Sequence, residues 1–214
     1  MRALGVDVGA GPKWLDVVVL EGDGCPVATE RRVEPGALAG LVERWRPDVV
    51  AIDSPPSWAR SGGSRRAERD LLRLGIHAFP VPSEPRAGGR FFEWMGVGFL
   101  AFEAAARAGY PRYRWGPVRG TAVEVFPHAS AVALAGQLPP RGAHLRRWRA
   151  AVLERSGVAV DGLASADQVD AALAALTGIR ALQGRFTPVG EPEEGVVVLP
   201  EAPLAGPFRR PAVG

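Results

Sequence analysis

Apolar residues in this chain gather first into short runs and only later into stripes. Ala3 to Val8 is an apolar run ending in the turn residues Gly9-Ala10-Gly11-Pro12, and Leu15 to Leu20 is a second. Gly22-Asp23-Gly24 then turns the chain into a third, Cys25 to Val33, so the opening predicts a meander of three strands. Pro35-Gly36 breaks it. Leu38, Leu41, Val42 and Trp45 follow at the helical period, and Pro47 stops that helix. Val49 to Ile52 is continuous and mostly β-branched, the signature of a strand covered on both faces.

Beyond it, Ser64 is placed to cap a helix over Arg65 to Leu74 that Gly75 ends. Phe79-Pro80-Val81-Pro82-Ser83-Glu84-Pro85 through Gly88-Gly89 reads as a proline-stiffened excursion, and Phe92 to Ala108 as a helix. Thr121 to Phe126 is a strand closed by Pro127, Leu145 to Arg155 and Asp167 to Ile179 are helices, and Gly195 to Pro200 is a last short strand. The order predicts an α/β fold, a mixed sheet with helices on its faces and an inserted helical, proline-rich segment. One domain is expected over 1–201. Pro203, Pro207, Arg209, Arg210 and Pro211 mark 202–214 as a flexible tail.

Two of the strand runs end on an aspartate, Asp7 and Asp53. A carboxylate at the tip of a buried strand is costly unless it is paired, hydrogen-bonded or bound to a cation. If the first and fourth strands are neighbours, about 4.8 Å apart, the two carboxylates can bracket one hard divalent ion, Mg²⁺ or Mn²⁺. Asp167 and Asp170 lie three apart on a helix and face one way, so they can complete the shell. Phosphodiester hydrolysis by two ions about 3.5–4 Å apart requires a bridging carboxylate between them. Asp7 is the natural bridge, with Asp53 on one ion and Asp170, helped by Asp167, on the other. Glu124 can add a ligand or a hydrogen bond behind one. Each acid also has a plainer reading: Asp7 can accept amides of the Gly9–Gly11 turn, Asp53 can cap the segment at Ser54, and Ser165 with Gln168 forms a capping box in which Asp167 faces the helix dipole.

Composition narrows the classes. Hydrophobic residues are 47% of 214, enough for one sizeable core, and the lone Cys25 excludes an intrachain disulfide and a multi-cysteine zinc cluster. That usage fits a reducing compartment. No apolar stretch approaches the roughly 20 residues that cross a bilayer, and Met1-Arg2-Ala3-Leu4 leads directly into a strand, so a cytoplasmic protein without a membrane partner is expected. The net charge of +3 suits a nucleic-acid partner without requiring one. Arg65, Arg66 and Arg69 can grip a phosphate backbone, although their alternation with Glu68 and Asp70 also describes a solvated helix face. His77, His128 and His144 have no metal-ligand spacing; His128 is the candidate to serve as a base or to bind phosphate, against capping a turn after Pro127. Trp58, Trp94 and Trp115 offer faces on which bases stack, while most tryptophans are partly buried anchors. Gly5-Val6-Asp7-Val8-Gly9 followed by Lys13, the sole lysine, is similar to the phosphate loop of sugar kinases and actin-like ATPases. Those proteins need a second acidic glycine loop, and none is found here.

The ordered set Val6-Asp7, Ala51-Ile52-Asp53-Ser54-Pro55-Pro56, Glu68 to Ile76, Phe79-Pro80-Val81-Pro82-Ser83, Val123 to His128, Asp167-Gln168-Val169-Asp170-Ala171-Ala172 and Glu193 to Pro200 resembles the domain-of-unknown-function 429 family, over nearly the whole chain. The family is regarded as a predicted nuclease of ribonuclease H-like fold. The resemblance therefore implies a five-stranded mixed sheet, three antiparallel strands followed by two parallel ones. It implies a metal-dependent hydrolase of nucleic-acid phosphodiester bonds with Asp7, Asp53 and Asp170 as the acids of first strand, fourth strand and terminal helix. Asp167-x-x-Asp170 is also similar to the helix pair of Holliday-junction resolvases. No firm counterpart stands for the helix-borne glutamate that ribonucleases H place between the first two acids. The alternatives are a binding or structural module that keeps the fold without catalysis, and a nucleotide phosphohydrolase or actin-like phosphate-binding protein.

Overall fold

The hairpin turn forms where glycine permits it: Gly24 sits at φ +86°, and Glu21 N–H donates to the Cys25 carbonyl at 3.0 Å. The computed structural model describes residues 1–11, 14–84 and 90–211. Strands β1 (Arg2–Val8), β2 (Leu15–Glu21) and β3 (Pro26–Val33) make the antiparallel meander, and helix α1 (Leu38–Trp45) leads to β4 (Val49–Asp53), which pairs parallel to β1. Helices α2 (Arg66–Arg73) and α3 (Glu93–Arg107) precede β5 (Ala122–Glu124), parallel to β4. Helices α4 (Pro127–Ala135), α5 (Leu145–Arg155) and α6 (Ala166–Leu182) follow, then β6 (Thr187–Glu191) and β7 (Gly195–Leu199).

Strand order 3-2-1-4-5 is the ribonuclease H-like arrangement that the resemblance implied, but the sheet is larger than the expected five strands. Among the described residues it has seven, in the order β3-β2-β1-β4-β5-β7-β6, because the β6–β7 hairpin continues it beyond β5. Strand β6 escapes sequence reading because Pro188, Gly190 and Glu191 interrupt any apolar alternation. Helix α4 escapes for the opposite reason. Ala129, Ser130, Ala131, Val132 and Ala133 are all buried, so no polar stripe marks its period.

The period of two along each strand divides the core between the two faces. Leu4, Val6, Val50 and Ile52 point toward α1 and α3; Ala3, Ala51, Val18, Leu20 and Val123 point toward α4, α5 and α6. On the second face Gly5 lets α6 approach β1 backbone to backbone: a Cβ there would stand 2.0 Å from the Ala171 carbonyl oxygen and 2.4 Å from the Ala175 nitrogen. Lower down Gly178 lets α6 settle onto the sheet's side chains, a Cβ there standing 2.8 Å from Val49 Cγ1.

The described part of the segment expected as a flexible tail, residues 202–211, is held to the body at Phe208 and Arg210. Phe208 is buried in a cluster with Leu71, Ile76 and Val132, its N–H donates to the Leu74 carbonyl at 2.8 Å, and Arg210 Nη1 donates to the Pro139 carbonyl at 2.6 Å. One aromatic side chain supplies the burial that the proline-rich composition concealed. Among the described residues no helix is long and apolar enough to cross a membrane.

Candidate active site

The facing pattern determines where the acids meet. Asp7 lies two residues beyond Gly5 on the same face, about 6.6 Å further along the strand. On a helix rising about 1.5 Å per residue that distance is some four positions, so Asp7 reaches α6 near 167–171. Asp7 is the register partner of Asp53 on β4 and of Asp16 on β2. Three aspartates therefore stand side by side across three strands, under the N-terminal turn of α6 that carries Asp167 and Asp170. The capping box forms as expected, Gln168 N–H donating to Ser165 Oγ at 3.0 Å and Ser165 N–H to Gln168 Oε1 at 3.3 Å. That cap fixes the helix start and leaves the Asp167 carboxylate to a cleft and Asp170 on the turn above the strand acids.

Asp7 and Asp53 are half-buried, and both titrate well above the ordinary carboxylate range. Burial is the main cause for each. Repulsion from Asp53, Asp170, Asp167 and Asp16 adds to it at Asp7; at Asp53 Asp170 and Glu124 add to it and Arg149 opposes it. Among the described residues no backbone N–H donates to the side chain of Asp7 or Asp53, which disfavours their turn and capping readings. Asp170 is raised by burial, against the pull of Arg149, whose Nη1 lies 2.5 Å from Asp170 Oδ2. Its other oxygen, Oδ1, is buried without a hydrogen-bond partner.

Asp16 and Arg149 are the residues the sequence reading passed over. Asp16 accepts the Arg32 N–H at 3.2 Å and the Ser165 hydroxyl at 3.4 Å, with Arg31 at 3.6 Å. The tight hairpin register placing residue 16 opposite residue 7 is the signal that would have found it. Arg149 lies one turn before the buried Val152 and Leu153, hence on the inward face of α5.

Glu124 and Arg65 take other places than expected. Arg65 is 1% exposed and commits all its N–H groups: Nε and Nη2 to Glu68 at 3.0 and 2.6 Å, Nη1 and Nη2 to Glu124 at 3.0 and 2.5 Å, and Nη1 also to the Glu194 carbonyl at 3.3 Å. It cannot also grip a phosphate. Glu124 is correspondingly tied to Arg65 and is not free to ligate a metal as expected. Arg69 is exposed on α2, donates to the Ser64 carbonyl at 2.5 Å and lines neither cleft at the site. His128 is part-buried between Phe126 and Trp148, ring centres 5.9 and 6.2 Å away, and is an interior residue of α4 rather than a cleft residue. Lys13 lies outside the described residues.

Two clefts adjoin the acids. One of about 580 Å³ is lined by Asp7, Asp16, Asp167, Trp14, Trp94 and the Gly9–Gly11 turn. The other, about 240 Å³, opens beside Asp53. Trp94 and Val8 line both. Trp58 is an anchor in edge contact with Phe99 at 5.0 Å, and Trp115 is exposed away from both. Among the described residues no three His, Cys, Asp or Glu side chains are drawn together closely enough to ligate one ion as they stand. Mutual repulsion and the Arg149 pairing account for the spread. The donor set nevertheless fits a hard cation: it is all carboxylate oxygen, it is desolvated, and Asp170 Oδ1 lacks a partner.

The structure of Thermus thermophilus RuvC superposes with a TM-score of 0.49 at 18% identity, covering 86% of this chain and 97% of that one. That of T. thermophilus RuvC in complex with a Holliday junction substrate superposes with a TM-score of 0.48 at 19% identity, covering 86% and 96%. No curated protein matches the sequence. The model of the family described as "Protein of unknown function (DUF429)" matches residues 5–194, as the motifs at Asp7, Asp53 and Asp167–Asp170 imply, and the chain belongs to that family.

Proposed function

We propose that the chain is a nuclease that binds Mg²⁺ or Mn²⁺ and hydrolyses a phosphodiester bond of nucleic acid. The observation that carries this reading is the row Asp16–Asp7–Asp53 beneath Asp170, whose buried Oδ1 has no partner. Desolvated carboxylates that repel one another are stabilised most by a concentrated positive charge in their midst. Asp7, central in the row, and Asp53 and Asp170 beside it would hold the ion, with Asp167 nearby. When bound, the cation supplies Lewis acidity, polarising the phosphate and lowering the pKa of water. Asp16 is held by Arg32 and Ser165 and keeps Asp7 facing α6 through their shared register. Arg149 holds Asp170 by Oδ2 and leaves the buried Oδ1 unpartnered, so the helix acid is oriented before substrate arrives. Trp94 walls both clefts and excludes water from one side.

Melting in chelator, then in millimolar Mg²⁺ or Mn²⁺, tests the site first. A bound ion raises the midpoint by several degrees, and Asp7→Asn should remove that shift. DNA, RNA and branched substrates incubated with Mn²⁺ test the reaction, with cleavage lost in Asp7→Asn. Absence of any metal shift, or cleavage persisting in Asp7→Asn, overturns the assignment.

A further inference from the structure

The acid group already contains a cation of its own. The side chains of Arg149 and Asp170 are 17% and 15% exposed, and Arg149 Nη1 stands 2.5 Å from Asp170 Oδ2. At that depth little water screens the pair, so the two charges hold each other firmly. Helix α5 fixes the guanidinium through its neighbours: Trp148 packs against His128, and Val152 and Leu153, one turn on, are buried in the core. Arg149 also pulls against the burial and the Asp170 charge that raise Asp53, so its charge reaches the β4 acid as well as the helix acid. At Asp7 the acting neighbours are Asp53, Asp170, Asp167 and Asp16, all acids.

Charge and free oxygens limit what else this group can take. When ionised, Asp7, Asp53 and Asp170 carry one negative charge each, which one divalent ion and the Arg149 guanidinium together cancel. Asp170 divides its oxygens in the same way: Oδ2 is taken by Arg149, and Oδ1 is buried without a partner. Asp16 adds little, being held by the Arg32 N–H, the Ser165 hydroxyl and Arg31, and Asp167 lines the wide cleft, where water screens it. Two divalent ions about 3.5–4 Å apart need carboxylates to offset their mutual repulsion. A guanidinium fixed on the helix acid adds to that repulsion and occupies an oxygen that a second ion would need.

We infer that the site is built for one divalent ion, with Arg149 on Asp170 Oδ2 as the fixed second positive charge that a two-ion site takes from metal. The inference rests on the nuclease reading for the presence of the first ion, and it makes Arg149 a positioning residue that sets the number of ions.

Mn²⁺ binding to the full chain, counted from the paramagnetic resonance of the free ion, tests it with and without dimethyl phosphate, which supplies the oxygens of a phosphodiester. Wild type is expected to take one Mn²⁺ per chain under both conditions. Arg149→Met keeps the length of the side chain, removes its charge and frees Asp170 Oδ2, so it should take two. Arg149→Lys restores a charge and should return to one. Melting in chelator shows which variants are folded, and the wild-type and Arg149→Lys counts stand whether or not Arg149→Met folds. Two Mn²⁺ on wild type or on Arg149→Lys, or one on folded Arg149→Met, overturns the inference and leaves the nuclease reading in place. No Mn²⁺ on wild type overturns both.

Discussion

His128 illustrates how a residue singled out for chemistry is set by its surroundings. Its imidazole is pushed down to about 4, by burial first and then by Arg149 and Arg210, and its Nδ1 is buried with no partner. A histidine so depressed is neutral at pH 7 and a poor proton carrier there. The unfolded chain takes up the proton near pH 6.5, whereas the fold resists it until about 4. The stability conferred by this neutral ring is therefore complete above pH 6.5 and lost as pH falls toward 4, on the order of 2–3 kcal/mol. Asp7, Asp53 and Asp170 work in the opposite sense: raised carboxyls keep their protons longer in the fold, so acid stabilises the metal-free site. Denaturant unfolding of His128→Phe at pH 7.5 and 4.5 should show an acid loss smaller than wild type by about 2 kcal/mol; equal losses would remove His128 from the account.

At the scale of elements, the β1–α6 contact positions the acids, and Gly5 permits it. Gly5→Ala should destabilise the fold by about 3 kcal/mol or more, because backbone atoms of α6 occupy the space. It should also weaken the metal-induced shift by lifting Asp170 from Asp7. Gly40→Ala, in the exposed face of α1 with nothing near the new methyl, should instead stabilise by about 0.5–1 kcal/mol, and urea unfolding of both checks the contrast. This contact was partly legible in the sequence. The runs ending at Asp7 and Asp53 and the 167–170 spacing on an apolar helix predicted which acids could converge, because strand and helix periods determine facing. Arg65 was not legible: a residue type that is nearly always exposed became the largest fully buried side chain, through partners 3, 59 and 129 residues away in sequence. Local pattern carries no trace of such distant pairing.

For the whole molecule, the segment after β7 closes a third core cluster that the strand and helix patterns did not announce. Phe208 fills the space between α2 and α4, with the Leu74 and Arg209 carbonyls bonded across it. Phe208→Ala should cost about 3 kcal/mol, read as a lower unfolding midpoint with the metal shift retained, because the cluster lies apart from the acidic row. A midpoint unchanged by that substitution would mean the segment contributes no stability. The buried Glu68–Arg65–Glu124 group has a consequence for descent. Removing any one member strands a charge in the interior, typically at about 3–5 kcal/mol, whereas apolar replacement of such a group as a set is often neutral. The charged and apolar versions are therefore separated by single changes that each destabilise, so the triad is expected to be exchanged as a set rather than one member at a time.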